Sequence, residues 1–197
     1  MRRTKTSWKR KPILGALFFL QSINLIMAIE KPDYNLLNSE GVFEIRDYDS
    51  FLIAKTRVKN DYKEATVAGF RRIANYIFGG NKEQLNIAMT APVISSVPNT
   101  QGVYDILFVM PKEHTLASLP VPNDKQVKVE SHYLGKVAVL KFGGWATKSR
   151  TEYYKMQLKK LLNKKDLAMK GDFLVAQYNS PWALPPFRKN EIIVAIE

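Results

Sequence analysis

The sequence predicts an α+β domain built as a tandem ββαββ repeat with pseudo-twofold symmetry. Strand-like segments and one amphipathic helix follow each other in the same order in both halves of the chain. Landmarks recur at nearly equal spacing, since Ser149 lies 88 residues after Asp61 and Pro181 lies 89 residues after Pro92. Each half leaves an apolar sheet face to be covered, so we expect one eight-stranded, barrel-like sheet flanked by two helices.

The N-terminal segment resembles a secretory signal. Six of the first eleven residues are Lys or Arg, and an apolar stretch over residues 13–28 ends at the small residue Ala28. This stretch is shorter than the roughly 20 residues that a spanning helix needs. Because Ile26 makes an imperfect cleavage site, an uncleaved membrane anchor is the alternative. We therefore expect an exported protein, periplasmic or extracellular, whose residues 29–41 form a linker and whose residues 42–197 form the domain.

The first half is predicted to contain one helix between two pairs of strands. Asp61 and Glu64 have the spacing of a capping box, and Gly79 and Gly80 give the helix a C-terminal stop. The strands are expected within residues 43–58, as two strands around a turn at 47–50, and over residues 87–96 and 104–110. Pro92 cannot donate to a ladder and is therefore expected at an edge or a bulge.

The second half repeats this order. Ser149 and Glu152 form a second predicted capping box, before a helix with an apolar face of Tyr154, Leu158, Leu161 and Leu162. The strands are expected over residues 127–133 and 136–142, around a turn at Leu134–Gly135, and over residues 173–178 and 191–196.

The first helix has an unusually wide apolar face. On a helical wheel this face consists of Tyr62, Thr66, Gly69, Phe70, Ile73 and Ile77, and Val67, Ala74 and Phe78 extend it on one side. It exceeds the stripe of roughly 100° that a core-facing helix requires. The extension is therefore either ordinary packing under a loop or one wall of a pocket.

Composition excludes several classes of protein. The chain has no cysteine, so disulfides, thiol nucleophiles and thiolate metal sites are ruled out. The net charge is +12, but six of the basic residues lie within residues 1–28, and the rest of the chain has 24 basic against 18 acidic residues, a net charge of +6. No basic run with interleaved aromatic residues is present, so we do not expect nucleic acid as a partner.

No catalytic motif is present either: the sequence lacks a nucleophile elbow, a zinc-protease helix, a P-loop and a dinucleotide fingerprint. We therefore predict that the protein is not an enzyme. Glu44, Asp47 and Asp49 are interpreted as a solvated hairpin end. Another polar set, Arg188, Asn190 and Glu191, is expected to fasten the last strand by hydrogen bonds.

Several segments resemble the SOUL family of haem-binding proteins. They are FEIRDY from Phe43, NYIFGGN from Asn75, IAMTAPV from Ile87, FVMP from Phe108 and YNSPWALPPFRKNEI from Tyr178. The resemblance extends from about Val42 to the C-terminus, with the motifs in order. It implies a double-repeat barrel with two helices, and the binding of haem or a related tetrapyrrole in an apolar cleft beside the first helix.

The resemblance also implies specific site residues. Val67, Phe70, Ala74 and Phe78 would line the cleft, although haem-binding members place an arginine at Val67 and methionines at Phe70 and Ala74. Some members ligate iron with a histidine at the position of Asp47. We therefore expect haem to be weakly ligated or unligated by protein, and His114, His132 and Met89 to have other roles. On the helix itself, Lys63 lies four residues before Val67 and Arg71 four residues after it, and one or both are predicted to meet the propionates.

The sequence is compatible with three functions. The first is binding of haem or another porphyrin for buffering or transfer outside the cytoplasm, with membrane attachment through residues 13–28 as an option. The second is an effector-type module that binds other amphipathic small molecules. The third is a protein-interaction module without a ligand.

Overall fold

The computed structural model describes residues 29–180 and 182–197. In chain order the elements are β1 (Tyr34–Glu40), β2 (Phe43–Lys59), α1 (Tyr62–Ile77), β3 (Val93–Ser96), β4 (Val103–Val109), β5 (Val127–Gly143), α2 (Lys148–Lys164), β6 (Met169–Gln177), a 3-10 turn (Pro185–Phe187) and β7 (Lys189–Ile196). The predicted signal or anchor over residues 1–28 lies outside the described residues, as does Pro181. No helix within the described ranges is long and apolar enough to cross a membrane.

The predicted α+β class is confirmed, and the sheet is a closed barrel of six strands. Neighbouring strands follow the order β2-β4-β3-β6-β7-β5, and β5 pairs with β2 to close the ring. Every pairing is antiparallel, and β1 adds a seventh strand alongside β2. Exchanging β2 with β5, β4 with β7 and β3 with β6 reproduces the same order. The two halves are therefore topologically equivalent βαββ units.

Among the described residues the predicted eight strands of a ββαββ repeat are not confirmed, because two predicted turns lie inside long strands. β2 pairs with β5 from Phe43 to Thr56 and skips only Asp49, so the ladder runs through the predicted turn at 47–50. β2 makes two other pairings along its length, first with β1 and then with β4. One bent strand thus takes the place of two. Gly135, with a φ of +61°, lies opposite Tyr48 within β5, where the second turn was expected.

Two further segments differ from the prediction. Residues 34–40, expected to be linker, form β1 on the edge of β2. The predicted strand over residues 87–96 is regular only in β3, and the irregular stretch before it contains a cis peptide bond between Ala91 and Pro92. Pro92 therefore stands just outside the ladder, where the lack of an amide donor costs no strand hydrogen bond.

The helix boundaries are close to those predicted, but the caps differ. Asp61 is the N-cap of α1, yet its side chain makes no capping hydrogen bond. α2 is capped by Thr147 and not by Ser149, because the Thr147 side chain accepts a hydrogen bond of 3.3 Å from the Arg150 amide. α1 ends at Ile77 and is followed by Gly79 with a φ of +95°, so the predicted glycine stop is confirmed.

The core has three layers that follow from strand alternation. Residues facing inward fill the barrel, among them Ile53, Ile94, Val137 and Ile193. Residues facing outward on β2 and β4 pack against α1, and those on β5, β6 and β7 pack against α2. The predicted α2 face is confirmed: Leu158 and Leu162 are fully buried, while Tyr154 and Leu161 pack at its margin.

Candidate functional site

The helix α1 is seated on the outer surface of the barrel by its small and apolar residues. Tyr62, Ala65, Gly69, Ile73, Tyr76 and Ile77 are buried in the contact. Gly69 allows the closest approach, since a Cβ there would lie 2.7 Å from the Ile106 side chain of β4. These contacts fix one face of α1 on the barrel, so the side chains on its other faces point away from this contact.

Each side of α1 faces a different part of the barrel. On one side Arg72 donates to Thr56 Oγ1 of β2 at 2.8 Å and lies 3.3 Å from the Asp124 carboxylate. On the opposite side Phe70 contacts Phe108 of β4, with ring centroids 5.2 Å apart. This second side lies against β4, whose other neighbour in the sheet is β3.

The six residues predicted to bind the tetrapyrrole all lie along this second side, which we call the α1 flank: Lys63, Val67, Phe70, Arg71, Ala74 and Phe78. Val67 and Phe78 are exposed, at 38% and 60%, whereas Phe70 and Ala74 are half-buried. Lys63 and Arg71 are exposed and form no ion pair within the described part of the chain. The flank is an open apolar stripe bordered by two cations.

The two histidines lie away from this flank. His114 belongs to the loop after β4, next to Glu113, with its Nε2 3.8 Å from the Glu113 carboxylate. His132 lies on β5 with its ring 5.7 Å from that of Phe51, edge to face. Burial, together with the charge of Lys55, holds the pKa of His132 below its usual range. Met89 is 47% exposed in the irregular segment before β3.

A cavity of about 530 Å³ opens at one end of the barrel, in a place that the sequence did not predict. We call it the barrel mouth. Its walls include the aromatic side chains of Tyr34, Tyr48, Phe51, Phe142 and Tyr178, together with Ile94 and Leu134. None of the six α1-flank residues lines it. The barrel mouth is therefore a concave site distinct from the α1 flank.

A buried ion-pair network lies against the barrel mouth. Arg46 is only 2% exposed and binds Glu191 in a bidentate pair, Nη2 to Oε1 at 2.7 Å and Nη1 to Oε2 at 3.0 Å. Its Nε donates to Glu44 Oε2 at 2.7 Å, and its guanidinium lies 4.3 Å from the Tyr34 ring centre. Glu44 also forms an ion pair with Lys141.

Two tyrosine hydroxyls complete the network. Tyr48 accepts a hydrogen bond of 2.9 Å from Arg46, and Tyr178 donates one of 2.6 Å to Glu191. Burial raises the pKa of Tyr48 to about 12 and raises that of Tyr178 as well, so both hydroxyls keep their protons at neutral pH. Burial alone would lower the pKa of Arg46, but Glu191 outweighs it and raises that pKa.

The network corrects one sequence interpretation and refines another. Glu44 is 6% exposed and ion-paired, so it does not belong to a solvated hairpin end. Of the residues expected to fasten the last strand, Asn190 does so by donating to Gly144 O at 2.8 Å, and Arg188 donates to Ala183 O at 2.9 Å. Glu191, in contrast, joins β7 to β2 through Arg46.

The chain is similar in sequence to proteins named as heme-binding proteins. Heme-binding protein 1 of Xenopus laevis is 25% identical over 186 residues, which covers 89% of this chain and 97% of that protein. Heme-binding protein 2 of Mus musculus is 28% identical over 189 residues, covering 92% and 91%. Heme-binding protein 2 of Homo sapiens is 29% identical over 159 residues, covering 77% of each chain.

Solved structures of low sequence identity share the fold alone. The C-terminal domain of EcmrR superposes with a TM-score of 0.62 at 9% identity, over 83% of this chain and 98% of that one. A structure titled as a hydrolase from Listeria innocua gives a TM-score of 0.57 at 10% identity, over 82% and 94%.

The profile of the family described as SOUL heme-binding protein matches residues 29–195, from the segment before β1 to the end of β7. The match includes both βαββ units and the irregular segments that join them. With nearly the whole described barrel inside it, the chain belongs to the SOUL heme-binding protein family.

Proposed function

We propose that this protein binds haem or a related tetrapyrrole on the α1 flank. The observation that carries the proposal is the exposure of Val67 on α1 and of Phe78 at its C-cap, while the other large apolar residues of the helix are buried or half-buried. Contiguous apolar surface on a soluble domain commonly marks a binding site. Membership of the SOUL family and the names of the relatives, heme-binding proteins 1 and 2, support this choice of ligand.

The residues of the flank suit a flat, amphipathic macrocycle. Val67, Phe70 and Ala74 offer apolar contacts to its face, and Phe78 extends them by one helical turn. The anionic propionates need cations at the edge of the apolar surface, and Lys63 and Arg71 stand there without carboxylate partners in the described structure. Bound haem would supply an iron centre and an intense absorption band.

We propose further that no histidine of the domain ligates the iron. Neither α1 nor the adjacent strands β3 and β4 contain a histidine. His114 contacts Glu113 and His132 contacts Phe51, both outside the flank. Changing either histidine to Ala should leave the hemin absorption band in place and alter affinity by less than about tenfold, equivalent to about 1.4 kcal/mol. A larger loss at either position would assign it to the iron.

The site itself is tested by titrating hemin into the purified full chain and following the absorption band. Val67→Asp places a carboxylate in the middle of the apolar stripe, at an exposed position that tolerates a polar residue. Met156→Asp is the matched control, because Met156 is likewise an exposed apolar residue, at 47%, but on α2. We expect Val67→Asp to weaken hemin binding by at least about tenfold, since an unpaired charge opposes apolar contact. Met156→Asp should bind as wild type does.

Equal hemin affinity in wild type and Val67→Asp would place the tetrapyrrole elsewhere. Absence of saturable hemin binding by wild type would contradict the proposed function altogether. Thermal unfolding of both variants, followed by circular dichroism, establishes that the fold is retained. These readouts separate a wrong site from a wrong ligand.

The physiological role that we propose is non-enzymatic: buffering or transfer of the tetrapyrrole outside the cytoplasm. The basic N-terminus and the apolar stretch over residues 13–28 support export, either with cleavage near Ala28 or as a retained membrane anchor. N-terminal sequencing of the protein from its native host distinguishes these. A mature chain starting near Ile29 supports cleavage, whereas an intact Met1 in the membrane fraction supports the anchor, and an intact Met1 in the cytoplasm contradicts export.

A further inference from the structure

The barrel mouth combines an apolar interior with strong internal charges. Its volume of about 530 Å³ is within the range of small-molecule sites, roughly 300 to 1,000 Å³. The aromatic rings of Tyr34 and Tyr48, with centroids 5.1 Å apart, form part of one wall. Arg46 and Glu191 lie against the same space. Such a combination is typical of pockets in which apolar walls hold a ligand and a few polar groups orient it.

The ion pair of Arg46 and Glu191 is difficult to explain by stability alone. Removing two charges from water costs several kcal/mol per ion, and apolar side chains of similar size are often as stabilising. The side chains of Arg46 and Glu191 are only 2% and 8% exposed. A buried, fully bonded guanidinium at the wall of a cavity is therefore better explained as fixing the geometry of a binding site.

The charge around the opening is positive. Arg46 is neutralised by Glu191, and Lys141 by Glu44. Lys31 and Lys189 remain at the rim, both exposed and without a carboxylate partner in the part of the chain that the structure describes. The Lys31 ammonium lies 5.2 Å from the ring centre of Tyr178. The rim therefore favours an anion over a cation.

One buried donor points to the same kind of ligand. The Tyr48 side chain is 5% exposed, lines the cavity and accepts a hydrogen bond from Arg46. Its own hydroxyl proton has no acceptor among the described residues, whereas Tyr178 donates to Glu191. A buried donor left without an acceptor is costly, and a ligand carboxylate in the cavity would satisfy it.

We propose that the barrel mouth is a second binding site, separate from the α1 flank, for a small amphipathic anion that carries one carboxylate on an aromatic or aliphatic body. The body lies against the aromatic walls, and the carboxylate accepts from Tyr48 or from the rim ammonium groups of Lys31 and Lys189. This site does not depend on tetrapyrrole binding.

The experiment uses isothermal titration calorimetry of the full chain with three naphthalene probes of matched size. Naphthalene-2-carboxylate carries the proposed anion, 2-naphthalenemethanol is neutral, and 2-naphthylmethylammonium is cationic. We expect the carboxylate to bind saturably and at least about tenfold more tightly than the neutral probe, with no detectable binding of the cation. Equal binding of all three probes, tighter binding of the cation, or no saturable binding of any probe would overturn the proposal.

Two variants locate the anion. Lys31→Glu with Lys189→Glu reverses two exposed rim charges, and we expect it to weaken naphthoate binding by at least about tenfold at low salt. Tyr48→Phe removes the hydroxyl donor, together with its hydrogen bond from Arg46, with little change of shape, and should weaken naphthoate binding about three- to tenfold. Wild-type affinity in both variants would refute the assignment of these groups.

Hemin titration of the same proteins separates the two sites. The rim variant should keep wild-type hemin affinity, and Val67→Asp should keep wild-type naphthoate affinity. If the rim variant loses both ligands while Lys159→Glu with Lys160→Glu on α2, which makes the same change of net charge, keeps its hemin affinity, the sites are not separate and the proposal fails. If wild type binds naphthoate but not hemin, the barrel-mouth site is supported and the proposed tetrapyrrole function is contradicted.

Discussion

Arg46 and Glu191 are 145 residues apart in the chain, yet their side chains form a bidentate pair with bonds of 2.7 and 3.0 Å. Arg46 belongs to β2 and Glu191 to β7, which are not neighbours in the barrel: β5 lies between them. The pair therefore joins the two βαββ units across the barrel interior. Its partners Glu44 and Tyr178 connect it to both units at once.

Single substitutions of this pair should be far more harmful than the double substitution. Glu191→Leu leaves a buried guanidinium without its main partner, and Arg46→Met leaves a buried carboxylate. We expect each to lower the free energy of unfolding by about 3 to 5 kcal/mol. The double variant should lose clearly less than the sum of the two, because the uncompensated charge is absent. Urea denaturation of the four proteins measures this coupling.

The matched control is an exposed pair on the barrel surface. Arg57 is bonded to Asp105 at 2.6 and 2.8 Å, but its side chain is 67% exposed. Arg57→Met should cost about 1 kcal/mol or less, since solvent screens the charges. If the double variant of Arg46 and Glu191 loses as much unfolding free energy as the two single variants together, the interaction between these side chains contributes nothing to stability.

Gly69→Ala tests how tightly α1 is seated. In an exposed helix this change would stabilise by about 1 kcal/mol, because alanine has the higher helix propensity. Here the added Cβ would lie 2.7 Å from Ile106, a residue that is itself 1% exposed. We expect a net loss of about 1 to 3 kcal/mol from overpacking. Adding Ile106→Val to Gly69→Ala relieves the contact and should recover part of the lost stability. If Gly69→Ala alone is more stable than wild type, α1 is able to shift outward.

His132 should make the domain less stable in mild acid. Burial lowers its pKa in the folded state below the ordinary value of 6.5, and its Nε2 has no hydrogen-bond partner among the described residues. The unfolded chain then takes up a proton more readily than the folded one, so stability rises with pH. The contribution is fully present above about pH 6.5 and is lost as the pH falls through the folded-state pKa.

We therefore expect His132→Phe to reduce the difference in unfolding free energy between about pH 7.5 and about pH 5. Phenylalanine keeps the edge-to-face contact with Phe51 but cannot take up a proton. Urea denaturation at the two pH values gives the comparison. An unchanged difference in the variant would assign the acid sensitivity to other groups.

The sequence was sufficient for the class, for both helices and for most strand positions. Hydrophobic periodicity marks Leu158 and Leu162 as core, and glycine chemistry marks the end of α1 at Gly79. The prediction from sequence was wrong where local turn signals were overridden by pairing with a distant strand. Asp47 and Ser50 favour a turn, but pairing with Lys136 and Tyr133 keeps them in β2. Such pairing depends on the partner strand and is not encoded locally.

The exposed apolar side of α1 was predictable from the helical wheel, whereas the cavity at the barrel mouth was not. Glu44, Arg46 and Tyr48 alternate along β2, so the sequence indicates that they share one face of the strand. Polar residues on one face ordinarily indicate solvent, and only the closure of the barrel turns this face inward. The partner Glu191 lies at the far end of the chain, so no sequence window contains both charges of the pair.

Lys63 and Arg71 are expected to hold the propionates of a bound tetrapyrrole. They lie eight residues apart, with Val67 midway, so they border the apolar stripe at helical spacing. Lys63→Glu with Arg71→Glu should weaken hemin binding about tenfold or more at low ionic strength, since two attractions become repulsions. The difference should shrink in about 1 M salt, where exposed charges are screened over a few ångström.

The control is Lys159→Glu with Lys160→Glu on α2, which makes the same change of net charge at two exposed positions away from the flank. That control should retain most of the wild-type affinity, because its charges lie beyond the flank. If both double variants lose affinity equally, hemin responds only to the overall charge of the protein, and the propionate assignment is wrong.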